Sequence, residues 1–148
     1  MNKISIEEGL QNKGYVVYGI KGVSMNPLLV SGRDKVLIKK VNKPLKKGDI
    51  ALYKRNNGKY ILHRIIKAKK GDLVLCGDNQ FILEKGIKES QILGVCSGYF
   101  KKDKYVDFNK SFKYKLYKTF YGNNLFIRKI FKFFVRVKNL FIKKAEKV

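Results

Sequence analysis

The stretch DIALYKRNNGKYILHRII, residues 49–66, decides the fold. Two runs rich in apolar, β-branched and aromatic residues flank Asn56-Asn57-Gly58. That tripeptide supplies the turn chemistry of a tight β-hairpin. The pattern predicts paired strands over 49–54 and 60–66.

Working outward, the same texture recurs. Residues 15–20 and 35–39 read as strands before the hairpin, and 72–76 and 91–100 as strands after it. Turns at Lys21-Gly22, at Ser31-Gly32-Arg33 and at Lys69-Lys70-Gly71 separate them, with loops at 43–48 and 77–90. Ile4 to Lys13 predicts a short helix, with Ser5 as N-cap, Glu7 and Glu8 in its first turn and Gly14 as the stop. Short strands at close spacing imply a mainly β domain, either a coiled antiparallel sheet or a small barrel. No internal repeat is visible.

From about Asn109 the texture changes. Residues 125–142 are apolar at 126, 127, 130, 131, 134, 137, 140 and 141, which follows a helix. Arg128, Lys129, Lys132, Arg136 and Lys143 fall towards the other side. The expected division is a β domain over 1–108 and a basic, aromatic, helical extension over 109–148. The extension has two readings. It is either a helix packed on the domain with a solvated basic face, or an amphipathic helix on anionic membrane through 125–144. The Phe133-Phe134 pair and the charge favour the membrane.

Net charge is +23, and residues 101–148 carry about half of it, with 15 Lys/Arg against 3 Asp/Glu. Such an excess attracts polyanions, although a Lys-rich composition produces it without any partner. No specific nucleic-acid partner is expected. The first twenty residues hold charges and lack a long apolar core, and no run reaches the roughly 20 apolar residues that span a bilayer. A cytoplasmic location is expected, peripheral on the inner membrane face if the helix meets lipid. Cys76 and Cys96 lie in apolar runs and read as buried thiols. One His and two Cys twenty residues apart make no metal site, so neither metal nor cofactor is expected.

His63 is the only histidine in the chain. A serine that needs an imidazole to take its proton has one partner available. Ser24 lies in Ser24-Met25-Asn26-Pro27, where Pro27 stiffens the loop after the serine. An acid follows in Gly77-Asp78-Asn79. The structural alternatives are plain: Ser24 as a turn residue, His63 as a satisfied core residue, and Asp78 in an Asx-turn. Cys76 paired with His63 is a second nucleophile on paper, but burial would raise its pKa and leave it inert.

In order, the chain carries Gly22-Val23-Ser24-Met25-Asn26-Pro27-Leu28, then Gly32-Arg33-Asp34, then Lys47-Gly48-Asp49. Leu62-His63-Arg64, Gly77-Asp78-Asn79 and Ile92-Leu93-Gly94-Val95 follow. Over roughly residues 19–100 this set resembles the signal peptidases and the LexA-type serine peptidase clan. The resemblance implies a serine endopeptidase that removes a leader or signal segment from a peptide or protein precursor. His63 stands where the common bacterial enzymes have lysine, which resembles the endoplasmic-reticulum and archaeal branch. In that branch Ser24 would be the nucleophile and His63 the general base, with nearby backbone N–H groups as oxyanion donors. Met25 and Pro27 would belong to the substrate-binding loop, and small side chains would precede the cleaved bond. Asp78 is the favoured third member, and Glu84 is the alternative acid.

Two departures bear on the setting. Family members carry a membrane anchor before the serine motif, and the 23 residues before Ser24 do not resemble one. The expected substrate is therefore a peptide precursor met in the cytoplasm. The repressor branch, with its Ser-Lys chemistry and upstream Ala-Gly cleavage site, is set aside because no Ala-Gly pair occurs. The competing reading from another class is a non-catalytic basic module that binds nucleic acid or anionic membrane.

Overall fold

The structure, a computed structural model, describes residues 5–69 and 71–145. Ile4, Lys70 and the side chain of Lys143 therefore lie outside the described residues. Helix α1 spans Ile6–Lys13. Ser5 Oγ accepts the Glu8 N–H at 3.1 Å, Glu7 and Glu8 occupy the first turn, and Gly14 ends the helix at φ 74°. A left-handed residue there costs glycine nothing, so the stop falls where expected.

Eight strands follow: β1 Tyr15–Gly19, β2 Asp34–Lys39, β3 Ile50–Lys54, β4 Tyr60–Lys69, β5 Asp72–Cys76, β6 Glu84–Ile87, β7 Ile92–Lys101 and β8 Lys104–Asp107. They form one antiparallel sheet in the order β1-β2-β7-β3-β4-β5-β6, with β8 added to β7. The sheet stays open, with β1 and β6 at its ends. Register shifts at Leu37/Ile38, Leu52/Tyr53 and Ile65/Lys67 bend it locally.

The hairpin at 49–66 forms as expected, pairing Ala51 with His63 and Lys54 with Tyr60. Strand β3 is buried on both faces because its alternate residues serve two cores. Ile50 and Leu52 pack with Leu10, Met25, Leu29, Val36 and Ile38. Ala51 and Tyr53 pack with Ile65, Leu73 and Leu75.

Two strands differ from the sequence expectation. The stretch 77–90, expected as loop, contains β6 and leads into a 3-10 turn at Glu89–Gln91. The chain also folds back after β7 through Lys102 at φ 54° to form β8. Both strands have four residues and lack apolar alternation, so neither writes a periodic signal.

The C-terminal part comprises α2 Phe112–Tyr117, a turn of π-helix at Lys118–Gly122, and α3 Leu125–Ala145. The change at 108/109 is one of secondary structure and not of packing. Phe108 stacks on Tyr114 with centroids 3.7 Å apart, and both rings are buried. Arg128, expected on the solvated face of the last helix, is instead fully buried. That helix turns Arg128 and Lys132 inward and leaves Phe126, Phe133, Phe134 and Phe141 exposed, together with Lys129, Arg136 and Lys138.

Candidate active site

Ser24 sits in the turn that follows β1, and the 77–80 segment holds that turn in place. The Asn79 N–H donates to the Ser24 carbonyl at 2.7 Å, and Asn79 Nδ2 donates to the Val23 carbonyl at 3.0 Å. Gly77 is required at this junction. A Cβ there would lie 2.6 Å from the Ser24 carbonyl oxygen and 3.0 Å from Ser24 Cβ. The Asn26–Pro27 peptide is cis.

His63 projects from β4 and is buried. Its Nδ1 lies 3.3 Å from Glu84 Oε1 and 3.2 Å from the Tyr53 hydroxyl. Glu84, on β6, is also bound by Arg55 from the β3–β4 hairpin, with Nε donating to Oε2 at 2.9 Å and Nη2 to Oε1. The hydrogen bond at Nδ1 is with the Tyr53 hydroxyl, and Glu84 Oε1 lies at ion-pair distance. A tautomer with the proton on Nδ1 would face the carboxylate and leave Nε2 as an acceptor.

The electrostatics favour the neutral imidazole. Burial pushes the His63 imidazole below its ordinary 6.5, against the opposing pull of Glu84, and Arg55 adds to the lowering. Burial works to raise the Glu84 carboxyl, but hydrogen bonds from Arg55 and Tyr53 and the Arg55 charge outweigh it. Its pKa is therefore held below the usual 4.5. The resting pair is a neutral imidazole beside a carboxylate.

Ser24 and His63 line one cavity of about 450 Å³. Met25, Leu52, Leu62 and Gln80 share its wall, and Tyr18–Lys21 and Tyr60–Ile61 border it. Among the described residues, no hydrogen bond joins Ser24 Oγ to the imidazole. Met25 is 2% exposed and belongs to the core as well as to the wall. Pro27 does not reach this cavity. It lines a separate groove between the serine loop and α3, with Lys129 and Phe133.

Asp78, favoured from the sequence as the orienting acid, is committed elsewhere. It is fully buried, and two guanidinium groups grip its carboxylate. Arg64 donates to Oδ1 at 2.8 Å and Oδ2 at 2.7 Å, and Arg128 Nη2 donates to Oδ1 at 3.1 Å. The Tyr117 hydroxyl adds a bond at 3.0 Å. The acid at His63 Nδ1 is Glu84. The sheet explains the exchange, because His63 and Arg64 are neighbours on β4 and project to opposite faces.

Arg128 also donates to the Gly77 carbonyl at 2.8 Å, and Lys132 Nζ donates to the Asn79 carbonyl at 2.6 Å. Helix α3 thus braces the segment that holds the serine turn. Tyr53, Arg55 and Arg128 had no sequence signal for these positions, since each partner comes from a distant part of the chain.

Burial raises the Cys76 thiol, and Arg128 opposes this only in part. Cys96 is pushed up to about 12 by burial. Neither thiol is poised as a thiolate. Among the described residues no group of three His, Cys, Asp or Glu side chains could hold a metal ion. No helix among them is long and apolar enough to cross a membrane. No protein-family model matches this chain, and no curated protein matches it.

Proposed function

We propose that the chain is a serine endopeptidase of signal-peptidase type, with Ser24 as nucleophile, His63 as general base and Glu84 as the group that orients the imidazole. One observation carries this reading: the only histidine places Nδ1 3.3 Å from a carboxylate while its ring lines the same cavity as Ser24. A carboxylate on Nδ1 fixes the tautomer that frees Nε2, and it stabilises the imidazolium formed when Nε2 takes the serine proton. Ser24 Oγ would then attack the peptide carbonyl. The imidazolium would return the proton to the leaving amine, and water would release the acyl group by the same route in reverse. Backbone N–H groups of the serine turn are the natural donors to the oxyanion.

The sheet supports an extended peptide as substrate. Strand β4 pairs with β5 only from Arg64 onward, so Tyr60–His63 keep one free edge. Strand β1 pairs only with β2 and has a free edge of its own. The cavity runs between Tyr18–Lys21 and Tyr60–His63, where a peptide could add main-chain hydrogen bonds to either edge. A coiled sheet of the LexA and signal-peptidase kind belongs to the same proposal, as does a peptide precursor as substrate.

The test is cleavage of a peptide library, together with labelling by a fluorophosphonate, which reacts with activated serines. Ser24→Ala should abolish both, and His63→Ala should lower cleavage by about 10³-fold or more. Cleavage undiminished in Ser24→Ala would overturn the assignment. It would leave a basic binding module as the better account.

A further inference from the structure

Helices on the surface of globular domains bury an apolar stripe and show charge to solvent. Helix α3 does the reverse. Its inward contacts are polar: Arg128 on Asp78 and Gly77, and Lys132 on Asn79. At about 100° per residue, Phe126, Ile130, Phe133, Phe134 and Phe141 share one broad arc away from those contacts. Their exposures are 71, 41, 63, 65 and 69%. So wide an apolar surface on one helix calls for a covering partner.

We infer that this outward face of α3 lies in the interface of an anionic lipid bilayer. The helix, LFIRKIFKFFVRVKNLFIKKA, contains Arg and Lys throughout and no Asp or Glu. A second copy of α3 laid on the first would bring cations against cations. An anionic bilayer offers both apolar depth and negative headgroups. Nucleic acid has no use for an arc of five apolar side chains. The helix is not long and apolar enough to cross a membrane, so the geometry is that of a helix lying flat, with its aromatic face down. Lys129 and Arg136 are exposed at the edge of the arc, level with the headgroups. Arg128 and Lys132 fix α3 to the 77–80 segment that holds the serine turn, so the lipid-bound helix would hold the Ser24 cavity close to the membrane surface. The inference does not depend on peptidase activity.

The chain contains no tryptophan, so Phe133→Trp gives a single fluorescent reporter at one edge of the face, beside the groove that Phe133 lines with Lys129. On equimolar phosphatidylglycerol–phosphatidylcholine vesicles its emission should shift to the blue, and lipids brominated in their acyl chains should quench it. Pure phosphatidylcholine should bind more weakly, and added salt should loosen binding to the anionic vesicles. A Phe133→Glu, Phe134→Glu double variant should co-sediment with anionic vesicles about tenfold less or worse. Its circular dichroism and urea midpoint should stay those of the parent, because both side chains are exposed. An unshifted Phe133→Trp spectrum would overturn the inference, as would undiminished vesicle binding by the double variant. So would a lipid-free dimer that the double variant dissolves, which would assign the face to a second copy.

Discussion

On the proposed mechanism, His63 and Glu84 set the behaviour of the site at the level of single side chains. The base must be neutral to act, and burial holds its pKa below 6.5. The acid limb of kcat/KM, or of fluorophosphonate labelling at Ser24, should therefore have its midpoint below 6.5. Glu84 pulls that pKa upward, so Glu84→Gln should move the midpoint lower still. The same change should cut kcat by about 10²–10⁴-fold, because the imidazole loses its orienting carboxylate. Asp78 should answer differently. Its removal strands two buried guanidinium groups, and Asp78→Ala should cost about 3–5 kcal/mol in urea unfolding. Sequence reading named Ser24, His63 and both acids, and it favoured Asp78 over Glu84, whereas Glu84 is the acid beside Nδ1. Asp78 lies in the more conspicuous motif. Which carboxylate reaches Nδ1 depends on β6 pairing beside β5, a long-range event that local residues do not encode.

Elements that carry their own pattern were readable. The hairpin at 49–66 has alternation, β-branched residues and a turn with one reading, and it forms in register. Helix α1 announces both its ends through Ser5 and Gly14. Strands β6 and β8 have no such pattern, and neighbouring strands create them. Helix α3 was recognised from its period, but its orientation was not legible. The period shows two faces, and the partners that draw Arg128 and Lys132 inward lie about 50 residues away, in the 77–80 segment. The serine turn itself depends on the segment beneath it. Gly77→Ala should push the Ser24 carbonyl away and lower cleavage by about 10²-fold, since small displacements of a reacting group are costly. Far-ultraviolet circular dichroism should show the sheet intact, which separates a displaced serine from a lost fold.

The whole molecule should weaken on acidification, and the sign follows from two groups. His63 has a folded pKa lowered below 6.5, so the unfolded chain binds its proton first as pH falls. Glu84 is lowered below 4.5 and acts in the same direction. Stability from His63 is complete above 6.5 and drains as pH drops towards the folded value, and the Glu84 contribution drains below 4.5. Urea midpoints measured from pH 7.5 downward should therefore fall first near 6.5 and again below 4.5. Flat midpoints across the first interval would mean that His63 is less shielded than its surroundings indicate.

The Arg64–Asp78–Arg128 cluster also imposes a schedule. Arg64 precedes its acid by 14 residues, while Arg128 follows it by 50. At about 5–20 residues per second, a ribosome delivers Arg128 some seconds after Asp78. Until then the 77–80 segment lacks its brace, and the serine turn rests on an unfinished support. The newborn chain thus lacks the brace beneath the serine turn until the first turns of the last helix, which carry Arg128 and Lys132, have been delivered. On the proposed peptidase reading, an enzyme assembled in that order stays disarmed until the brace is delivered.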